Sequence, residues 1–188
     1  MKTVTILFAR HDSIYKTLPG CDVYDKERNA LNWSGGSPII AHPPCRAWGR
    51  LRQFAKPDYG EKELAIWAIM QVRKYGGVVE HPEGSSLWPF LNLPKVGEKE
   101  DIFSGYTMKV SQFNWGHRAE KRTLLYIVGI DKNKLPAIPK RPEYQPTHVM
   151  STSRKKSGNR PEITVSEREA TPLKFALWLC ELARKTMV

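Results

Sequence analysis

The sequence predicts an α/β domain: a mostly parallel sheet with one antiparallel hairpin, flanked by helices. Three observations predict it. Short β-branched and apolar runs recur at residues 3–8, 21–24, 38–41 and 78–79, the lengths expected of buried strands. A single long stretch with helical spacing, residues 61–75, separates the third run from the fourth. Two further strand-like runs, 106–115 and 123–130, follow one another across a short polar link.

Taken in order, residues 3–8 form the first strand, with no small-residue cleavage site, so no secretory leader is expected. Leu18-Pro19-Gly20 is a turn into the second strand. Only about ten residues join these two strands, room for a short helix at most. The third run, PIIA, is stopped by His42-Pro43-Pro44. In the helix, Leu64, Ala65, Ala68, Ile69 and Val72 share a face. Glu61 and Glu63 occupy its first turn, Arg73 and Lys74 its last, and Gly76-Gly77 ends it, as helix polarity favours. Val78-Val79 then opens a strand that ends at Glu80-His81-Pro82.

Strand, helix and strand make a parallel βαβ unit. Cys45 then lies just past the carboxyl end of one strand and Glu80 at the carboxyl end of the next. Neighbouring strands run ~5 Å apart, so thiol and carboxylate face one crevice, where open α/β sheets bind ligands. Residues 95–105 read as a polar connection. Residues 135–161 are Pro-rich and basic, with a mobile loop expected at 150–161 around Arg154, Lys155, Lys156 and Arg160. Residues 171–185 close the chain as a helix with Pro172 in its first turn and Leu173, Leu177, Cys180, Leu182 and Ala183 near one stripe. Without repeats or a linker, one domain over 1–188 is expected.

Thirty Lys and Arg face nineteen Asp and Glu, a net charge of +11, which favours polyanionic partners. Arg46, Arg50, Arg52 and Lys56 follow Cys45, and Arg118, Lys121 and Arg122 form a second group. Nucleic acid, DNA first, or a nucleotide is the expected partner. No apolar run approaches the ~20 residues of a membrane span, so no membrane partner is expected. Cys21, Cys45 and Cys180 are widely spaced and form no disulfide framework or CxxC pair, which points to the cytoplasm. His42, His81, His117 and His148 show no short ligand spacing, and no metal is expected.

AHPPCRAWG, residues 41–49, is the most informative stretch. Its prolines fix the backbone and aim the following side chain. Cys45 so placed is either a nucleophile, helped by Arg46 and Arg50, or a small apolar residue in a chain turn. Trp48, Trp67 and Trp88 serve either as core or as a ligand platform, and the WGHR stretch at 115–118 either stacks a base or anchors a turn.

The order LFA, PPC, a Glu closing a strand, WGHR…KR…YIVG and a final Thr-Pro-Leu helix resembles the cytosine-5 DNA methyltransferases nearly end to end, in compressed form. The resemblance implies a Rossmann-like methyltransferase-type sheet and S-adenosylmethionine as cofactor. It matches Cys45 to the nucleophile, Glu80 to the acid, Arg122 to the first of two arginines that orient base or phosphate, and Thr171-Pro172 to the start of the terminal helix beside the cofactor. In that chemistry a thiolate adds to carbon 6 of the pyrimidine, which makes carbon 5 nucleophilic. An acid at ring nitrogen 3 stabilises the adduct, and burial is expected to raise its pKa. Duplex DNA would have its target base flipped out. Phe8 and Asp25 fall where the family holds the cofactor, Asp25 either on ribose hydroxyls or as a solvated strand end. His42, Arg46, Arg50 and Arg118 are the expected contacts to substrate or nucleic acid.

The sequence departs from the family at FARHDS, residues 8–13, where a glycine-rich loop is usual. It departs also at Arg46 for Gln, at His81-Pro82 for Asn-Val, and at Leu124 for the second Arg. No segment has the length of a target-recognition domain, so a protein partner supplying recognition is an expectation. Compact forms of this kind fit phage or prophage genomes. His42-Pro43-Pro44-Cys45 is also similar to the Asp/Asn-Pro-Pro-aromatic motif of amino-methyltransferases, departing at both ends. The alternatives are a nucleic-acid-binding relative that has lost the cofactor, and an enzyme of the same scaffold acting on a free nucleotide.

Overall fold

The computed structural model describes residues 1–150 and 159–186. Six strands, β1 (Val4–Leu7), β2 (Cys21–Tyr24), β3 (Ile39–Ala41), β4 (Gly77–Pro82), β5 (Tyr106–Ser111) and β6 (Arg122–Val128), form one sheet in the order β2-β1-β3-β4-β6-β5. The first four are parallel neighbours. β6 runs antiparallel to both β4 and β5. The fold is therefore α/β with a mixed, mostly parallel sheet.

The sequence dictates which faces are covered. Successive strand residues point to opposite faces, so β1 sends Val4 and Ile6 one way and Leu7 the other. Helix α1 (Glu61–Tyr75) covers the Leu7, Ile39, Ala41 and Val79 face with Ala65, Ala68, Ile69 and Val72. The terminal helix α4 (Leu173–Arg184) covers the Val4, Ile6, Ile40 and Val78 face with Phe175, Ala176, Leu179, Leu182 and Ala183. Each fully buried Ile or Leu contributes about 1.5–3 kcal/mol. Trp48 and Trp88 join the α1-side core, and their indole N–H groups donate to the Lys62 carbonyl (3.1 Å) and to Thr107 (2.8 Å).

Several boundaries differ from the sequence reading. Leu173 and Leu177 face outward, because the buried stripe of α4 runs through 175, 176, 179, 182 and 183 at helical spacing. The run 106–115 is a strand only to Ser111 and then a 3₁₀ turn, Gln112–Trp115. β4 continues through Pro82 because β6 pairs with it as far as Pro82↔Thr123, so Glu80 lies inside the strand rather than at its end. Two short helices, α2 (Leu87–Phe90) and α3 (Val165–Glu169), were not legible as periodic segments.

β3 and β4, joined through α1, are adjacent and parallel. Gly77 permits that contact: its φ is +119°, and a Cβ there would sit 2.0 Å from the Ile39 carbonyl oxygen. The basic loop expected at 150–161 lies outside the described residues over 151–158. Its flanks meet, with the Val149 N–H donating to the Pro161 carbonyl (3.0 Å). Among the described residues no helix is long and apolar enough to cross a membrane.

Candidate functional site

Strand order reverses between β1 and β3, and ligands of open α/β sheets bind beyond the carboxyl ends at such a switch point. The chain leaving β1 there is residues 8–13, and the chain leaving β3 carries His42, Pro43, Pro44 and Cys45. Ala41 pairs with Val79, which sets His42 level with Glu80. His42 Nδ1 lies 3.0 Å from Glu80 Oε2, and its Nε2 lies 3.1 Å from the hydroxyl of buried Tyr15. Gln112 closes the other side of the carboxylate, its Nε2 donating to Glu80 Oε1 (3.1 Å) and to Thr123 Oγ1 (3.0 Å).

This setting reverses the expected titration of Glu80. Burial alone would raise its pKa. The His42 hydrogen bond and the nearby Lys121 charge outweigh it and hold the carboxyl at about 2. Glu80 is therefore ionised in the free protein.

Cys45 is exposed, with protein crowded around it enough to desolvate the thiol in part. That desolvation first, and then the Glu80 charge, raise the thiol above its ordinary pKa, while Lys121 pulls it back. The Cys45 carbonyl accepts the N–H groups of Trp48 (3.0 Å) and Gly49 (2.7 Å), so the thiol stands at the head of a tight turn. Lys121 is crowded by protein, which lowers its pKa against the opposing pull of Glu80, Cys45 and Glu169.

Lys121, not Arg122, is the cation whose charge acts on both Cys45 and Glu80. Leu125 and Ile127 pack on the α4 side and Leu124 and Tyr126 on the α1 side. Thr123, which meets Gln112 beside Glu80, continues the odd-numbered series. Arg122 leaves from the opposite face and binds Glu120 (3.4 Å) and Glu83 (3.8 Å). One step in register decides the face. Two open clefts of about 370 and 310 Å³ both include Arg122 and neither includes Cys45.

The remaining expected contacts divide. Arg46 turns away from the thiol to Glu61 (3.1 Å through Nε) and Asp58 (3.2 Å), which secures the start of α1. Arg50 lies over Gly84, just past β4. Arg118 binds Glu167 of α3 (2.9 Å). Beside it, His117 Nε2 lies 3.3 Å from the Glu167 carbonyl oxygen, Arg10 binds the Ser166 carbonyl (2.8 Å) and Glu169 (3.4 Å), and Lys121 donates to the Ala170 carbonyl (3.0 Å). Four basic side chains thus fasten residues 166–170 beside the site.

The residues at the ends of β1 and β2 do not fit S-adenosylmethionine. Asp25 Oδ1 accepts the N–H groups of Glu27 (3.0 Å) and Arg28 (3.1 Å), and its Oδ2 holds Lys16 at 2.6 Å. A ribose would have to displace that lysine. Phe8 takes φ +61°, the left-handed conformation that glycine adopts without strain. Its ring meets Trp67 edge-on at 5.9 Å. Arg10 ties this segment to α3. Thr171 and Pro172 follow directly on Ala170, and Pro172 caps α4.

Tyr15, Gln112 and Lys121 as parts of the site escaped sequence reasoning. Only Lys121 carried a signal, its place in a basic cluster. No family model matches the chain, and no curated protein matches it.

Proposed function

We propose that this chain modifies a pyrimidine base, on DNA or a nucleotide, through a reversible covalent bond from Cys45, the covalent half of cytosine-5 methyltransferase-type chemistry. One observation carries the reading: the segment leaving the carboxyl end of β3 bears both His42 and Cys45, and His42 binds Glu80 of the adjacent strand β4 (3.0 Å). A parallel sheet with an antiparallel hairpin at the β4 side is the arrangement the resemblance implies, and supports it. In this reading the Cys45 thiolate, favoured by Lys121, adds to carbon 6. Glu80, held by His42 and Gln112, relays a proton from solvent to ring nitrogen 3 as the adduct forms and returns it to solvent as the adduct breaks. Gln112 and Tyr15 hold the Glu80–His42 pair in place. Because the β1 and β2 ends do not fit S-adenosylmethionine, no methyl transfer is assigned.

The adduct has a consequence that needs no cofactor. Carbon 5 becomes nucleophilic, takes a deuteron from D₂O and loses its own proton. Nitrogen 3 then returns its proton as the carbon–sulfur bond breaks. Incubation with cytosine-containing single strands, duplexes and dCMP in D₂O, read by mass spectrometry, should show carbon-5 deuterium. Cys45→Ser should abolish it, and Glu80→Gln should slow it about 10²-fold or more. Absence of exchange with all three substrates would defeat the reading.

A second reading, nucleic-acid binding without turnover, is favoured by the raised pKa of Cys45. It predicts oligonucleotide binding that is unchanged in Cys45→Ser, with no exchange.

A further inference from the structure

The turn that carries Cys45 runs directly into an unusual surface. The Arg52 N–H donates to the Gly49 carbonyl (3.1 Å) and the Ala55 N–H to the Arg52 carbonyl (3.2 Å), so residues 49–55 continue as consecutive tight turns. Three large apolar side chains here face water: Leu51 is 60% exposed, Phe54 76% and Tyr59 109%. Among the described residues neither Phe54 nor Tyr59 has a ring partner. Interleaved with them are Arg50, Arg52 and Lys56, none of which pairs with a carboxylate among the described residues. Asp58, the nearest acid in the loop, is held by Arg46.

Each half of this pattern is costly alone. Exposed rings lose by meeting water, and clustered unpaired cations repel one another. The two halves suit one class of ligand: cations follow a phosphate backbone, and rings stack on bases, whose faces are available only when strands are unpaired. A duplex hides those faces and offers phosphates alone. Within residues 50–59 the neutral hydrogen-bonding side chains are Gln53 and Tyr59, few with which to read a ribose 2′-hydroxyl.

We propose that residues 50–59 form a docking surface for single-stranded DNA, which delivers an unpaired base to the crevice beside Cys45. The surface deepens the function proposed above and rests on it only for what happens to the delivered base. Phe54 and Tyr59 stack on successive bases, and Arg50, Arg52 and Lys56 contact the backbone.

The test is fluorescence anisotropy with a labelled cytosine-rich 12-mer, its duplex, the matching RNA and dCMP as competitor. Single-stranded DNA should bind most tightly. Phe54→Ala and Tyr59→Ala should each weaken it about 5- to 100-fold, without changing circular dichroism, since both rings lie outside the core. Replacing Arg50, Arg52 and Lys56 together by Gln should reduce the slope of log affinity against log salt by about 2. Equal or tighter binding of duplex or RNA, or full binding by both ring variants, overturns the surface. Oligonucleotide binding without carbon-5 exchange defeats the catalytic reading alone, and exchange on dCMP without oligonucleotide binding defeats the surface alone.

Discussion

Cys21 and Cys45 occupy opposite electrostatic settings although both are thiols of one chain. The Cys21 sulfur lies 3.5 Å from that of Cys180. That hydrogen bond, with help from Arg184 and against partial burial, lowers the Cys21 pKa to about 7. Cys45 is raised instead, by desolvation and by Glu80. At pH 7.5 Cys21 should therefore react with a disulfide reagent faster than Cys45, because the thiolate is the nucleophile. Peptide mapping after brief labelling checks this, and faster labelling of Cys45 would contradict it.

Among the elements, the contact of β3 with β4 carries the site, and Gly77 is its narrowest point. A methyl group there would meet both the nitrogen and the carbonyl of Ile39, backbone atoms that cannot move without opening the sheet. Gly77→Ala should cost at least ~3 kcal/mol, measured by urea denaturation, from steric overlap and a strained φ together. Helix α3 is held differently. Thr164 and Glu167 form a capping box at its start, and Arg10, His117, Arg118 and Lys121 secure its residues and the Ala170 that follows. Nothing periodic in VSERE announces such a helix. Its sequence signal is the Thr-x-x-Glu spacing, which is visible only to a reader looking for caps.

At the scale of the whole molecule, two buried groups make the fold sensitive to acid. His81 is fully buried, and among the described residues neither ring nitrogen makes a well-formed hydrogen bond, the Pro44 carbonyl offering only a weak one. Burial lowers its pKa to about 4, against about 6.5 unfolded. Between those values the unfolded chain binds a proton that the folded chain does not. Stability should then fall by up to about 1.4 kcal/mol for each unit that pH drops from 6.5 towards 4. Glu80, depressed to about 2, adds a second loss as pH falls further, from its unfolded value near 4.5 downward. Denaturation midpoints from pH 7 to pH 4 should show the first decline, and His81→Leu should flatten it. An equal slope in that variant would show that another group is responsible.

Much of the fold was legible in the chain itself. Period-two runs and one amphipathic helix are local properties, so β1 to β4, α1 and the hairpin could be placed, along with Cys45 and Glu80 on neighbouring strands, though Glu80 proved to lie inside β4 and not at its end. Side-chain direction near those ends was not legible, because a single residue of register exchanges the faces of a strand. Lys121 and Arg122 are adjacent in sequence and both are cations, and only the pairing of β6 with β4 decides which one shares Glu80's face of the sheet. The charge state of Glu80 is likewise a tertiary property. Burial, which sequence can anticipate, pushes its pKa one way, while His42, 38 positions distant, and Lys121 push it the other and prevail.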